Sequence, residues 1–192
     1  MITAIILAAG ESKRMGEPKM LMPYGKSTVL QTVISTIQSA GIKDILVVTG
    51  GARQQVEMLI GKTVQTAFNE NYQNGEMLSS IQLGLSVKMR EASAALICLG
   101  DQTQVEERSV RRICNAFLES KSRIVVPSYQ NQRGHPWLVA RSLWDDLLTL
   151  KAPKTSRDFL KKNARAIHYV NMNTPSVIED LDTPQDYLKS TS

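Results

Sequence analysis

The sequence predicts a three-layer α/β fold with a mainly parallel central sheet. Short aliphatic and β-branched runs alternate with amphipathic segments along the chain, which is the order of a β-α-β protein. Residues 94–99 are apolar throughout, as expected for a strand that is covered on both faces. Residues 105–118 carry apolar side chains at the spacing of one helix face. Parallel strands joined by covering helices account for all three observations.

Predicted strands and helices follow one another along the whole chain. Gly41 ends the first helix, and Pro184 takes the first position of the last one. No internal repeat or long linker interrupts the order, so residues 1–192 are expected to form a single domain. The predicted strands are residues 2–7, 44–49, 64–68, 94–99, 123–127, 136–140, 166–170 and 176–178. The predicted helices are residues 28–40, 53–59, 78–89, 105–118, 143–150, 154–162 and a final helix from Pro184.

Two helices show the face that should be buried. The helix at 78–89 should turn Leu78, Ile81 and Leu85 inward. Both cysteines lie on apolar surfaces, so buried thiols are expected in preference to a disulfide. Cys114 lies on the face expected for the helix at 105–118, and Cys98 lies in the apolar run at 94–99. The other residues of that helix face are Val110, Ile113, Phe117 and Leu118.

Composition and charge limit the classes of partner. The formal net charge is +5, which favours anionic substrates such as nucleotides. Aromatic residues make up only 5% and are not interleaved with a basic run, so a nucleic-acid partner is not predicted. No apolar run is long enough to span a membrane, and residues 5–9 are too short for a signal peptide. We therefore expect a cytoplasmic location and no membrane partner.

The loop after the first strand has the character of a phosphate-binding turn. Small residues at 8–10 let the main chain approach a ligand closely, and successive N–H groups can bind an anion. Arg14 and Lys19 add positive charge that can stabilise a departing pyrophosphate. The G-x-G-x-x-G fingerprint is absent. The segments 25–27 and 61–63 resemble the end of a Walker A loop but lack its first glycine.

The pattern Leu-Ala-Ala-Gly-x-Ser-x-Arg-Met-Gly-x-x-Lys over residues 7–19 resembles the signature of the MobA-like nucleotidyltransferases, and most closely that of the molybdenum cofactor cytidylyltransferases. The guanylyltransferase branch usually has Leu-Ala-Gly-Gly here, so Ala9 favours CTP over GTP. The resemblance implies a three-layer, Rossmann-like nucleotidyltransferase fold with a mainly parallel sheet and a short antiparallel strand. It also implies transfer of CMP from CTP to the phosphate of molybdopterin, with release of pyrophosphate. The nucleotide-binding residues implied in this loop are Leu7, Ala8, Ala9, Gly10, Arg14 and Lys19.

A second segment, Asn-Gly-Glu-Met-Leu-Ser-Ser-Ile over residues 74–81, is similar to the part of the family that lies near the nucleotide base. The resemblance assigns Gly75, Ser79 and Ser80 to nucleotide binding. Free N–H groups and hydroxyls at a helix start can form hydrogen bonds with base edges. The alternative for each serine is a helix cap.

Two acidic positions are candidate metal ligands. Asp101 follows the predicted central strand, where a carboxylate can hold Mg²⁺ against phosphates. The family has Gly-Asp-Gln-Pro here, and this chain has Thr103 in place of the proline. The resemblance assigns Asp101 to the metal and to catalysis together with Arg14 and Lys19, and gives Asp182 as a second ligand with Asp180 as its substitute. The alternatives are helix caps at both places.

The acceptor side is indicated by Arg133, His135 and Arg157. The first two lie in an Arg-Gly-His-Pro segment that resembles the family's acceptor loop, and Arg133 suits a phosphate or pterin. A turn before a short strand is the alternative for His135. Many cytidylyltransferases have Gly-Ala-Arg where this chain has Thr155, Ser156 and Arg157, which leaves the acceptor less certain than the nucleotide chemistry.

Other functions remain open at this stage. GMP transfer from GTP to molybdopterin and transfer to a sugar or polyol phosphate are alternatives within the enzyme class. A binding module that delivers finished cofactor to a molybdoenzyme is an alternative outside it, and a molybdoenzyme is then a candidate partner. A nucleic-acid-binding protein is supported by net charge alone and predicts steeply salt-dependent binding.

Overall fold

The structure is a computed structural model that describes residues 1–12, 15–74, 76–181 and 183–191, without the side chains of Glu76 and Thr191. The strands are β1 (Ile2–Ala8), β2 (Pro23–Tyr24), β3 (Ser27–Thr28), β4 (Ile45–Thr49), β5 (Gln65–Phe68), β6 (Ala94–Leu99), β7 (Ile124–Tyr129), β8 (Gln132–Arg133), β9 (Trp137–Ala140) and β10 (Ile167–Asn171). The helices are α1 (Val29–Ser39), α2 (Arg53–Ile60), α3 (Glu76–Lys88), α4 (Glu107–Ser120), α5 (Trp144–Leu148), α6 (Ser156–Lys162) and α7 (Pro184–Thr191). Short 3-10 helices are Lys19–Leu21, Arg141–Leu143, Ala164–Ala166 and Pro175–Val177.

The central sheet has the strand order β10-β7-β9-β6-β1-β4-β5. Strand β1 pairs in parallel with β4 and β6, β4 with β5, and β7 with β10. Strand β9 runs antiparallel between β6 and β7, and β8 forms an antiparallel pair with β7. A mainly parallel sheet with a short antiparallel strand is therefore confirmed.

Strand direction determines which loops meet. The carboxyl ends of β1, β4, β5 and β6 lie at one edge of the sheet, where ligands bind in open α/β folds. Because β9 is antiparallel, its first residue, Trp137, pairs with Ile97 near the end of β6. The residues that precede Trp137 therefore reach the same edge as the loop after β6.

Two core layers cover the faces of this sheet. Alternate residues of β1 enter different layers, as the two-residue period of a strand requires. One layer takes side chains from α1, α2 and α4, and the other takes them from α3, α5 and α6. The inward face predicted for α3 is confirmed, because Leu78, Ile81 and Leu85 are buried. None of the described helices combines the length and the apolar character needed to cross a bilayer.

A third, smaller cluster joins distant parts of the chain. Met22, Val29 and Leu181 form its buried centre, and Met15 and Tyr187 pack against them. The Tyr187 hydroxyl donates a hydrogen bond to the main-chain oxygen of Pro23. We call these residues the satellite cluster. It fixes the first loop and the segment before α7 against each other.

Three sequence expectations need correction. Residues 176–178 are not a strand, since Pro175–Val177 is a 3-10 helix in which Thr174 Oγ1 accepts from the Ser176 N–H at 3.3 Å. Leu118 is 68% exposed because it lies roughly 140° around the helix from buried Ile113. Both cysteines are free, but Cys114 is only partly buried. Burial raises the pKa of Cys98 and raises that of Cys114 to about 11.

Candidate active site

A cavity of about 480 Å³ opens at the carboxyl edge of the sheet. This volume is in the usual range for small-ligand sites. Three predicted residues, Arg14, Gly75 and Asp182, lie outside the described residues. The described residues predicted for this site that line the cavity are Leu7, Ala9, Gly10, Lys19, Ser80, Asp101 and Asp180, the substitute metal ligand. Wall residues that sequence reasoning missed include Glu11, Ser12, Met15, Met20, Tyr72, Met77 and Leu99.

Ala8 does not line the cavity. Its side chain is 2% exposed and lies in the core layer of α1, because neighbouring strand residues point to opposite faces. Only its main chain can contribute to nucleotide binding.

Two glycines allow the loops to converge. A Cβ atom on Gly100 would lie 3.0 Å from both the Leu7 oxygen and the Met20 sulfur. A Cβ atom on Gly50 would lie 2.2 Å from the Ala9 oxygen, a distance that the main chain does not tolerate. Glycine at these strand ends brings the first loop against the ends of β4 and β6. A glycine directly after each strand was the sequence signal for this approach.

Lys19 and Asp101 form the polar centre of the cavity. The Lys19 Nζ lies 2.5 Å from Asp101 Oδ2, and the two side chains are only 13% and 15% exposed. The same Nζ donates to the Leu181 oxygen at 2.9 Å, and the Lys19 N–H donates to Ser12 Oγ at 3.1 Å. The lysine is therefore held by two side chains and by a carbonyl of the satellite cluster. A fixed cation beside a small-residue turn suits the phosphates of a nucleotide.

The acidic residues of the cavity fit a divalent ion that is shared with substrate. Asp101 and Asp180 both line the wall, and carboxylate oxygens are preferred ligands of Mg²⁺. Among the described residues, no group of three or more His, Cys, Asp or Glu side chains could hold a metal ion. An ion here would complete its shell with water and substrate phosphate, as Mg²⁺ commonly does. Asp101 does not cap a helix, since α4 begins at Glu107.

Another part of the wall is formed by the start of α3 and the loop after β5. Asn69 is 4% exposed, and its Nδ2 donates to Ser79 Oγ at 2.8 Å and to Ser80 Oγ at 2.9 Å. Because α3 begins at Glu76, the two serines lie inside its first turns and are not its caps. Tyr72 and Met77 add apolar surface beside Ser80. Sequence reasoning missed Asn69, although it directly follows the predicted strand at 64–68.

His135, which was predicted to bind the acceptor, lies close enough to Asp101 and Arg157 to interact with their charges. The main-chain N–H of His135 donates to the main-chain oxygen of Val177 at 2.8 Å. The main-chain N–H of Gly134 donates to the main-chain oxygen of Pro127 at 2.9 Å. Burial lowers the pKa of His135 to about 4, while the negative charge of Asp101 raises it and the positive charge of Arg157 lowers it. The imidazole is therefore neutral at pH 7 and can take part in hydrogen bonds without a charge.

Arg133 lies on a different part of the surface. It is exposed on β8, and its guanidinium carbon lies 5.6 Å above the centre of the Tyr169 ring. This arrangement directs Arg133 towards β10, and Arg133 is not in the cavity wall. Its role in acceptor binding stays a prediction.

The departure from Gly-Ala-Arg has a structural explanation. The Thr155 N–H and hydroxyl donate to Asp158 Oδ2 at 2.8 and 2.9 Å, so Thr155 caps α6 two residues before Arg157. These hydrogen bonds lower the pKa of Asp158.

The Thr183 N–H and hydroxyl donate to Asp186 in the same way, at 2.9 and 2.7 Å. Helix α7 is thus capped by Thr183.

His135 should make stability depend on pH. An unfolded histidine titrates near 6.5, so between pH 6.5 and 4 the unfolded chain binds a proton that the folded chain does not. The free energy of unfolding therefore falls as the pH drops through this window, by about 3 kcal/mol from this residue at pH 4. Between pH 7 and pH 4, the free energy of unfolding of His135→Gln should therefore fall less than that of the parent, by this same amount. Urea unfolding of both proteins at the two pH values measures the difference.

His168→Gln is the matched control, because His168 is exposed on β10. A His135→Gln protein that loses as much stability on acidification as the parent would show that burial does not keep this imidazole neutral.

Comparison with known proteins agrees with this geometry. The MobA-like NTP transferase domain family matches residues 4–167. Nicotine blue oxidoreductase of Paenarthrobacter nicotinovorans is 24% identical, and the alignment covers 95% of this chain and 92% of that protein. Molybdenum cofactor cytidylyltransferase of Escherichia coli K12 is 25% identical, with 97% and 94% covered.

Solved structures show the same fold. Rv0371c of Mycobacterium tuberculosis H37Rv superimposes with a TM-score of 0.87 at 27% identity, covering 99% of this chain and 96% of that one. A complex of Rv0371c with manganese superimposes with a TM-score of 0.80 at 26% identity, covering 99% and 97%.

Proposed function

Because the chain belongs to the MobA-like NTP transferase family and is a nucleotidyltransferase, we propose that it transfers CMP from CTP to the phosphate of a molybdopterin-type acceptor. The observation that carries the proposal is the Lys19–Asp101 pair, 2.5 Å apart, beside the small-residue turn in the cavity wall. A cation and a metal-binding carboxylate at a phosphate-binding turn are what phosphoryl chemistry requires. We further propose that residues 1–192 form one nucleotidyltransferase domain.

The reaction is an in-line displacement at the α-phosphorus of the nucleotide. An oxygen of the acceptor phosphate forms a bond to that phosphorus, the bond to the bridging oxygen breaks, and pyrophosphate leaves with the electron pair. No general base is needed, because a phosphate monoester is already ionised at neutral pH. Lys19 would balance negative charge on the phosphates, and the main chain at 8–10 would orient them. Arg14 is proposed to act beside Lys19.

Asp101, with Asp180 or Asp182, would hold the divalent ion, which we propose to be Mg²⁺. A bound ion of this kind neutralises phosphate charge and aligns the triphosphate. The manganese complex of Rv0371c supports a divalent ion in this fold. His135 interacts with the charges of Asp101 and Arg157, and we propose that His135 and Arg157 bind the acceptor, with neutral His135 adding a hydrogen bond.

Two observations support CTP over GTP. The cytidylyltransferase of Escherichia coli aligns over 97% of this chain, and Ala9 stands in the cavity wall where the guanylyltransferase branch usually has glycine. The nicotine blue oxidoreductase relative raises a redox alternative. An oxidoreductase requires a redox-active partner, whereas Lys19 and Asp101 suit phosphate and a divalent ion. A delivery module would have no use for this pair.

Turnover with defined substrates tests the proposal. The purified chain is incubated with Mg²⁺, each of the four ribonucleoside triphosphates, and either molybdopterin or a sugar phosphate. Pyrophosphate release and product mass are measured. We expect molybdopterin cytosine dinucleotide from CTP alone. Product from GTP would overturn the base assignment, and product from the sugar phosphate would overturn the acceptor. Tight binding of the dinucleotide without any turnover would favour a delivery module.

A further inference from the structure

The positive charge of the chain is concentrated in one segment that contains α6. Residues 151–165 carry six basic side chains and one acidic side chain, a net charge of +5, which equals the formal net charge of the whole chain. Basic and acidic residues are therefore equal in number over the rest of the sequence. We call residues 151–165 the basic segment. All six of its basic residues are exposed, and they are Lys151, Lys154, Arg157, Lys161, Lys162 and Arg165.

The basic segment lies beside the cavity. The Ser156 hydroxyl, at the start of α6, lies 4.0 Å from the sulfur of Met77, and Met77 lines the cavity wall. The positive charge of Arg157 acts on His135, which also interacts with the charge of Asp101. The start of α6 is therefore close to the residues proposed to bind the acceptor.

Three lysines of the basic segment belong to this same region. The pKa of Asp158, in the first turn of α6, is lowered first by its hydrogen bonds to Thr155 and then by the positive charges of Lys161 and Lys154. Both lysines therefore lie within electrostatic reach of the helix start. Lys151 lies in the exposed loop that leads from α5 to α6.

The cavity wall has the opposite balance of charge. Glu11, Asp101 and Asp180 line it, and Lys19 is the one basic side chain among the described residues of the wall. In the proposed reaction, the acceptor phosphate enters a cavity that already holds a triphosphate. Like charges oppose that approach at short range. A cluster of positive charge outside the cavity can attract the second anion over a longer distance, because it lies away from the acidic wall.

We propose that the exposed lysines of the basic segment attract the acceptor from solution, as a free anion, and direct it to the cavity. This inference rests on the proposed function and adds the route by which its acceptor arrives. Charge clusters of this kind raise association rates by about 10-fold to 1000-fold, and the effect falls steeply with ionic strength. An acceptor handed over inside a complex with a carrier protein would gain nothing from it.

A combined Lys151→Gln, Lys154→Gln and Lys161→Gln variant tests this inference. It removes three positive charges and leaves Arg157, which is proposed to bind the acceptor directly. With saturating CTP and Mg²⁺, kcat/KM for molybdopterin should fall about tenfold at about 0.01 M ionic strength. The loss should shrink at about 0.1 M, because the Debye length falls from about 30 Å to about 10 Å. The values of kcat and of the KM for CTP should change by less than about twofold.

The matched control is a combined Lys43→Gln, Lys62→Gln and Arg90→Gln variant. These three residues are exposed and lie in the loops before β4, β5 and β6. Because these strands are parallel and the cavity is at their carboxyl ends, the three residues lie at the opposite edge of the sheet. The control changes the net charge by the same amount, and its kcat/KM for molybdopterin should stay within about twofold of the parent.

Equal losses in the two variants would overturn the inference, because net charge and not its position would then explain them. A loss that salt does not reduce, or an equal rise in the KM for CTP, would overturn it too. The parent alone gives a further test, since its kcat/KM for molybdopterin must fall between the two salt concentrations. If the parent turns over molybdopterin and the basic-segment variant matches it, the role of the lysines fails alone. A parent that turns over no phosphate acceptor removes the proposed function as well.

Discussion

Asp101→Asn is expected to lower kcat/KM for nucleotidyl transfer about 1000-fold, a loss of about 4 kcal/mol of transition-state stabilisation. The amide keeps the size of the side chain but removes the charge that would hold a divalent ion. It also removes the negative charge that lies 2.5 Å from Lys19 Nζ. Pyrophosphate release at increasing Mg²⁺ measures the effect, and Mn²⁺ binding followed by electron paramagnetic resonance measures the loss of the ion directly.

Asp145→Asn is the matched control, because Asp145 is an exposed carboxylate on α5, away from the cavity wall. It should retain the turnover of the parent. An Asp101→Asn protein that folds, binds Mn²⁺ as the parent does and keeps full turnover would remove Asp101 from the metal site.

The part of the site that follows strand periodicity could be predicted from the sequence. Apolar runs end at Leu7 and Leu99, and parallel strands place their carboxyl ends at one edge. This reasoning brings Ala9, Gly10 and Asp101 to the same cavity before any coordinates are known. Ser80 came from the resemblance of residues 74–81 to the family, and its hydrogen bond to Asn69 was not predicted.

Contacts between distant loops could not be predicted, because they leave no periodic pattern. The Leu181 oxygen that fixes Lys19 lies 162 residues later in the chain, and the satellite cluster that positions it is assembled from isolated apolar residues. His135 reaches Asp101 only because β9 runs antiparallel, a direction that its composition does not encode. The stacking of Arg133 on Tyr169 is another contact of this kind, and the acceptor role that the family motif implies for Arg133 stays a prediction.

Local propensity also failed where side chains compete for the main chain. Thr174 and Pro175 turn a β-branched segment into a 3-10 helix, because the threonine oxygen accepts a main-chain N–H that a strand would use elsewhere. Helix caps depend on the same competition for main-chain groups. Thr155 and Thr183 each bond to an aspartate three residues on, and Asp101 caps no helix because α4 begins only at Glu107.

Lys19→Met should lower kcat between about 100-fold and 1000-fold while changing the KM for CTP by much less. The methionine retains most of the side-chain length and removes the charge. Charge on the phosphates grows as pyrophosphate departs, so the lysine contributes more in the transition state than in the bound substrate. Steady-state kinetics with CTP and saturating acceptor separates the two constants. Lys26→Met, in the exposed turn between β2 and β3, is the matched control and should behave as the parent.

The same variant should bind a divalent ion more tightly when no nucleotide is present. In the structure the Lys19 Nζ takes the Asp101 oxygen that the ion would need, so the two cations compete for one carboxylate. Nucleotide phosphates would give Lys19 a second anionic partner, which would free Asp101 for the ion. A Lys19→Met protein with unchanged kcat and only a raised KM would show that the lysine merely binds the ground state. Unchanged Mn²⁺ affinity without nucleotide would show that the ion pair does not keep the metal out, and Lys19 would then act on the phosphates alone.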